Sequence, residues 1–298
     1  MGGGAARGWA HIGVLQTLTE AGLAPDIVAG TSIGAVAGGC YVAGKLPELE
    51  EFALSLTKRR VFGFLDFNFN GSGLITGKRL CGELDDHLRP VQIENLERKF
   101  VAVATEYGTG HEIWLSKGRL VSAMHASYAL PGIFSPVNIN GRWLMDGALV
   151  NPIPVSVCRA LGAQVVIAVN LNRDIFGRGT IVPDHEATDE GPQGLEDLAP
   201  PPGNGKAAKR LLQRQFFGLG GSGAPGISSV MMDAFNIIQD RIARSRLAGD
   251  PPDLMISPKL NDIGLFDFHR ASDAINAGRA AAAREIEDIQ QTLSSLAA

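Results

Sequence analysis

Ser32 is the residue whose surroundings most clearly indicate chemistry in this sequence. It lies at the centre of Gly30-Thr31-Ser32-Ile33-Gly34, between a short apolar stretch and a helix rich in small residues. A G-x-S-x-G pattern between a strand and a helix is typical of a nucleophile elbow, a sharp turn that exposes the serine hydroxyl. Gly30 and Gly34 permit that turn and let the neighbouring backbone approach closely. The pattern predicts a nucleophilic serine, with a phosphate-binding or purely structural turn as the alternative.

A glycine-rich loop, Gly2-Gly3-Gly4-Ala5-Ala6-Arg7-Gly8, precedes this turn by one crossover. Backbone N–H groups of a glycine loop at a helix N-terminus suit a developing oxyanion. Arg7 and Gly8 are interpreted as support, with Arg7 orienting the loop, facing anionic head groups or forming a structural salt bridge. Ala5 interrupts the G-x-G-x-x-G fingerprint of dinucleotide sites, and no Gly-Lys-Ser/Thr follows to form a P-loop.

Asp146 follows a predicted strand and is itself followed by Gly147. A carboxylate at a strand end, freed by glycine, is well placed to take a proton from a serine. A free aspartate has a pKa near 3.9 and is a weak base at neutral pH. It would therefore need a fixed hydrogen bond to Ser32 and a dry site. A simple turn aspartate is the alternative.

The histidines compete with Asp146 for the role of base, but none of them lies in a motif typical of a catalytic loop. His11 falls inside the first predicted helix, where we expect it to pack or cap locally. A Ser-His-Asp triad through His185 or His269 is the rival hypothesis.

The composition excludes several classes of protein. The 298 residues are 45% hydrophobic and carry a net charge of -4, which argues against a basic surface for nucleic acid. No apolar run reaches the roughly 18 residues that a membrane-spanning helix needs. Three widely spaced cysteines, at 40, 81 and 158, predict neither a disulfide framework nor a zinc site. We expect a cytoplasmic protein without a metal or cofactor.

The predicted elements alternate between strands and helices, which favours an α/β fold with three layers, α/β/α, around a mainly parallel sheet. Predicted strands cover 26–29, 99–106, 111–115 and 164–171, with a hairpin over 137–144; predicted helices cover 8–21, 32–43, 120–130, 155–161, 228–247 and 269–296. We expect residues 1–172 to form the catalytic core, 173–226 an irregular insertion or mobile lid, and 227–298 a helical part that completes the same domain.

The glycine loop opens the sequence without a strand before it. Such loops normally follow a supporting strand. Either the domain has lost its first strand, or the sequence starts late and a strand of roughly five or six residues lies upstream of Met1, which is what we expect.

The segments GGGAARG, GTSIG and DGA, in this order, resemble the patatin-like phospholipase family, and AHIGVL and ASYALPGIFSPV are similar to it too. The resemblance covers about residues 1–172, with a family-like tail over 249–270. It implies a Ser32–Asp146 dyad without histidine, an oxyanion hole in the 3–5 backbone, and calcium-independent hydrolysis of lipid acyl esters through an acyl-enzyme. The implied class is a phospholipase A, lysophospholipase or carboxylesterase. Ala5 departs from a common family glycine, which bears on the oxyanion geometry.

Other functions stay open at this point. They are a hydrolase or acyltransferase with a histidine base, a nucleotide-binding regulatory module, and an inactive relative that acts through protein contacts. The basic and apolar stretch at 206–217 is either an interfacial flap that touches lipid head groups or a linker or cap helix. Peripheral membrane contact and oligomeric state are both left open.

Overall fold

The computed structural model describes residues 1–58, 60, 88, 90–173 and 227–297. The chain divides into two compact units, the first formed by residues 1–175 with 240–298 and the second by 176–239. All the residues discussed below as a site belong to the first unit. The stretch at 206–217 and His185 lie outside the described residues. The division of the sequence at 172 and 226 stays a prediction.

The described elements follow the predicted order. The strands are β1 (Ile27–Thr31), β2 (Lys99–Glu106), β3 (Glu112–Leu115), β4 (Val137–Ile139), β5 (Arg142–Asp146), β6 (Ile167–Val169) and β7 (Leu254–Ile256). The α-helices are α1 (Ala10–Glu20), α2 (Ile33–Val42), α3 (Leu46–Ser55), α4 (Leu120–Tyr128), α5 (Val155–Ala160), α6 (Ile227–Gly249) and α7 (Ala271–Ala297). Short 3₁₀ turns cover Ala5–Trp9, Ile93–Asn95, Gly147–Leu149 and Phe268–Arg270. The sequence analysis did not predict α3 or β7.

Strand β2 organises the main sheet because it pairs with three other strands. It runs parallel to β1 along Lys99–Val103 and antiparallel to β3 along Ala102–Thr105. It also pairs antiparallel with β5 along Ala104–Glu106. The part of β2 that pairs with β1 overlaps the part that pairs with β3, and so does the part that pairs with β5. Because a strand has only two edges, β3 must occupy the edge opposite to both β1 and β5. Strands β1 and β5 therefore lie end to end along one edge of β2.

Side chains alternate across the sheet and bury both of its faces. Val28, Phe100 and Ala102 belong to the large core that also contains residues of α1, α2, α4 and α7. Ala29 and Val103 pack instead with Val157 of α5. Helices thus cover both faces, as in a three-layer α/β/α fold, and the α/β class is confirmed.

The strand pairing is mixed, with a larger antiparallel share than the alternation of strands and helices predicts. Strands β1 and β2 pair in parallel, as do β6 and β7. The β4–β5 hairpin turns at Asn140-Gly141, as expected, and with β3 it adds antiparallel strands beyond β2.

The first two residues join the two sheets through backbone hydrogen bonds. The amine of Met1 donates to Ala29 O (2.9 Å), and Thr31 N donates to Met1 O (3.1 Å), which is a parallel bridge to β1. On the other side, Gly2 N donates to Val169 O of β6 (3.1 Å). The glycine loop therefore starts beside the carboxyl end of β1. The expected upstream strand stays a prediction.

Helix α1 packs directly against the long helix α7, with small residues at the contact. A Cβ at Gly13 would overlap the backbone of Ile275, and one at Gly278 would overlap the backbone of Ala10. This close approach fixes the start of α1, and hence the glycine loop that leads into it. No helix in the described ranges is long and apolar enough to cross a membrane.

Candidate active site

Ser32 lies on a strained turn between β1 and α2. Its backbone has φ 57° and ψ -127°, in the left-handed half of the map that favours glycine, and the residue is buried. A Cβ at Gly30 would overlap Gly34 and Ala35, so the chain can turn this tightly only with glycine there. Such local strain is typical of functional turns. The structure thus has the elbow geometry that G-x-S-x-G predicts.

The register of the sheet brings Ser32 and Asp146 together. Thr31, the last residue of β1, pairs with Val103 of β2, and Asp146 of β5 pairs with the next residue, Ala104. Because β1 and β5 share one edge of β2, the turn after β1 meets the end of β5. The Ser32 hydroxyl donates a hydrogen bond to Asp146 Oδ2 at 2.6 Å. This is the fixed hydrogen bond that a carboxylate base requires.

Asp146 is buried, with only 2% of the residue exposed. Burial raises the pKa of its carboxyl from 3.8 to about 7, against the hydrogen bonds from Ser32 and from Ala148 N, which lower it. The Ala148 bond reaches Oδ1 at 2.8 Å, so each carboxylate oxygen has one donor. A Cβ at Gly147 would overlap the carbonyl of Val103, which explains glycine after the aspartate. Burial thus brings the pKa of this carboxyl close to neutral pH.

Ser127 is a residue of this site that the sequence analysis missed. It is fully buried on α4, accepts a hydrogen bond from Ser32 N (2.9 Å) and donates one to Val103 O (2.5 Å). Ser127 therefore ties the strained elbow to β2. Ser127 lies in the ASYALPG segment, which contributes to the family resemblance. The pattern of that segment does not indicate a role for the serine.

Gly3, Gly4 and Ala5, whose N–H groups are the predicted oxyanion donors, differ in whether an acceptor already engages them. Gly3 N donates to Pro152 O (3.0 Å), so this N–H is already used. Within the described ranges, Gly4 N and Ala5 N have no acceptor, and neither does Ile33 N at the start of α2. The N–H groups of Gly4, Ala5 and Ile33 are thus the ones near Ser32 that no described acceptor engages.

Ala5 has φ 48°, a left-handed conformation in which glycine is favoured. This gives a physical reason for the glycine that the resemblance places at this position. The loop is otherwise tightly packed, because a Cβ at Gly8 would overlap Ile33 and one at Gly34 would overlap the backbone of Met1. The loop and the elbow are therefore in direct contact.

The side chain of Arg7 connects the glycine loop to distant parts of the chain through hydrogen bonds. It is 7% exposed, and its Nε donates to Ile263 O (2.8 Å) while Nη1 reaches Asn172 Oδ1 (3.4 Å). Burial lowers the pKa of its guanidinium, and the nearby Asp267 opposes that effect. Of the alternatives for Arg7, orientation of the loop agrees with these contacts.

In the part of the chain that the structure describes, no histidine forms a hydrogen bond with Ser32 or Asp146. His269 lies in the 3₁₀ turn before α7, and His11 bonds to the glycine loop. The described ranges contain no group of three or more metal-ligating side chains that could hold a metal ion.

Sequence comparisons agree with the geometry. A model of the family "Patatin-like phospholipase" matches residues 1–159. An uncharacterized NTE family protein of Mycobacterium tuberculosis is 30% identical over 334 residues, covering 96% of this chain and 90% of the relative. A second one is 31% identical over 285 residues, covering 95% of this chain and 45% of the relative. Patatin-like phospholipase domain-containing protein 6 of Mus musculus is 33% identical over 184 residues, or 57% of this chain and 13% of that protein.

The fold and the match over more than half of the chain define the class: this chain belongs to the patatin-like phospholipase family. Within that family, its similarity extends over nearly its whole length to mycobacterial NTE family proteins. The resemblance inferred from the three sequence motifs is confirmed.

Proposed function

We propose that this protein is a serine-dependent lipid acyl hydrolase that uses Ser32 as nucleophile and Asp146 as base. The observation that carries the proposal is the 2.6 Å hydrogen bond from the hydroxyl of an elbow serine to a buried carboxylate. Family membership supports lipid esters as the substrate class. The first unit, with residues 1–172 and the C-terminal helix, would form the catalytic domain.

Acylation would begin when Ser32 Oγ attacks the ester carbonyl and Asp146 accepts its proton. A pKa of about 7 suits this transfer, because a large share of the carboxyl groups is ionised at neutral pH and the carboxylate is basic enough to take the proton. The tetrahedral oxyanion would receive hydrogen bonds from Gly4, Ala5 and Ile33. The protonated Asp146 would then pass its proton to the leaving alcohol, which leaves an acyl ester on Ser32.

Deacylation would repeat the same steps with water. A water molecule would attack the acyl carbonyl while Asp146 takes one of its protons. Asp146 would then return a proton to Ser32 Oγ as the carboxylic acid leaves. One carboxylate thus serves both half-reactions, and no histidine is needed. The acyl-enzyme is the covalent intermediate typical of nucleophilic catalysis.

The test is covalent labelling and turnover. A fluorophosphonate probe is expected to label Ser32, and Ser32→Ala and Asp146→Asn are each expected to abolish hydrolysis of short p-nitrophenyl esters. His269→Ala serves as the matched control and should retain activity. Labelling that survives Ser32→Ala, or activity that depends on His269, would contradict the assignment. Release from a panel of phospholipids, lysophospholipids and neutral esters by the wild type, against Ser32→Ala, would then identify the substrate.

A further inference from the structure

We propose that His11 is a positioning residue that orients the oxyanion loop of this hydrolase. The inference rests on the function proposed above and adds a residue to it. His11 is completely buried in the first turn of α1, and its Nε2 lies 2.7 Å from Gly2 O. A carbonyl oxygen only accepts hydrogen bonds, so Nε2 carries the proton and donates.

The bond from His11 fixes one peptide plane of the loop at both ends. In a trans peptide the C=O and the following N–H point in opposite directions. Gly2 O faces His11, and Gly3 N on the other side donates to Pro152 O at 3.0 Å. This plane therefore cannot rotate without breaking two buried hydrogen bonds.

A second hydrogen bond orients the next peptide plane, between Gly3 and Gly4. Gly3 O accepts a longer hydrogen bond from Asn172 Nδ2 (3.4 Å), so the N–H of Gly4 points away from Asn172. With the carbonyls of Gly2 and Gly3 both engaged, the next two N–H groups, of Gly4 and Ala5, are the ones left without an acceptor in the described ranges. Because hydrogen bonds fix the two preceding peptide planes, the N–H groups of Gly4 and Ala5 are oriented before the reaction begins. A preorganised oxyanion hole requires this orientation.

The other ring nitrogen of His11 argues against a role in packing alone. Nδ1 is buried and has no hydrogen-bond partner within the described ranges. An unpaired buried polar atom is destabilising, so an apolar side chain would fill this part of the core better. Burial, with the nearby N-terminal amine, also lowers the pKa of His11 to about 3, so the ring is neutral at working pH. It is a hydrogen-bond donor to the loop and does not serve as the general base.

The experiment compares His11→Gln, whose amide nitrogen can replace Nε2 as a donor, with His11→Leu, which cannot donate. Exposed His111 provides the matched control, His111→Ala. For each protein, kcat and KM of p-nitrophenyl ester hydrolysis are measured together with urea unfolding. Loss of a whole oxyanion donor costs about 100- to 1000-fold in kcat, so misaimed donors should cost about tenfold or more. We expect this loss in His11→Leu with KM within about twofold of wild type, because the interaction is made in the transition state.

The outcomes separate the two proposals. Recovery of kcat in His11→Gln, with His111→Ala at the wild-type value, supports positioning through the Gly2 carbonyl. An active wild type and an equally active His11→Leu would overturn the inference alone. A wild type that neither turns over esters nor labels at Ser32 would overturn the proposed function and with it the positioning role of His11. If His11→Leu does not fold, His11→Met removes the same donor with a more adaptable side chain and is judged by the same criteria.

Discussion

Asp146→Asn is expected to gain stability relative to the wild type as the pH rises, while it abolishes hydrolysis. The carboxyl has a pKa of about 7 in the folded protein, because it is buried, against an ordinary value of 3.8. Between these two pH values the unfolded chain has lost the proton that the folded chain keeps. The folded state therefore binds more protons, and its free energy of unfolding falls as the pH rises.

The size of this effect follows from the two pKa values. Each tenfold difference in proton affinity corresponds to about 1.4 kcal/mol, so the change from 3.8 to about 7 corresponds to an upper value of about 4 kcal/mol. Asparagine has no charge to bury and escapes this loss. It keeps only one acceptor oxygen for the two donors, from Ser32 and Ala148, but that penalty does not depend on pH. The stability of Asp146→Asn relative to wild type should thus rise from pH 4 to pH 8.

The assay is urea unfolding of both proteins at pH 4, 6 and 8, with the difference in unfolding free energy as the readout. Exposed Asp262 provides a control of opposite sign, because its hydrogen bond with Arg270 lowers the pKa of its carboxyl. Asp262→Asn should lose a little stability above pH 4, with no further change between pH 6 and 8. A difference between Asp146→Asn and wild type that is flat from pH 4 to pH 8 would refute the reasoning. It would mean that the carboxyl is not desolvated as the structure indicates.

Two further substitutions test how the elbow and the loop are held. Ser127→Ala removes the hydrogen-bond partner of Ser32 N and of Val103 O. Each buried polar group that is left unpaired lowers the free energy of unfolding by about 1–3 kcal/mol. Urea unfolding should show a loss of about 2–6 kcal/mol, and fluorophosphonate labelling should slow. Wild-type values for both would contradict the role given to Ser127. Ala5→Gly relieves a left-handed backbone that costs about 1–2 kcal/mol, offset by about 0.4–1 kcal/mol of added chain entropy. Thermal unfolding should show equal or slightly greater stability with activity retained, and a clear loss of stability would count against the strain at Ala5.

Local pattern was sufficient for the elements around the site. The continuously apolar stretch at 99–106 forms β2 with those bounds, and Asn140-Gly141 forms the predicted hairpin turn. Strand β7 escaped prediction because its three residues, Leu254–Ile256, are too short for any periodicity. It exists as a strand because β6, far away in the sequence, supplies its hydrogen bonds.

The sequence by itself determined the chemistry available: an elbow serine, a strand-end aspartate and a glycine loop, in an order that identifies the family. Only the tertiary structure decided which of those groups meet, which hydrogen bonds they form and how the pKa of the carboxyl is shifted. The register of β2 brings Ser32 to Asp146, and desolvation from all sides raises the pKa of that carboxyl to about 7. Likewise, the hydrogen bond from Gly3 N to Pro152 O exists only because the fold brings Pro152 to the glycine loop. Residue type and spacing are local, whereas desolvation and hydrogen-bond partners depend on atoms that are distant along the chain and meet only in the folded protein.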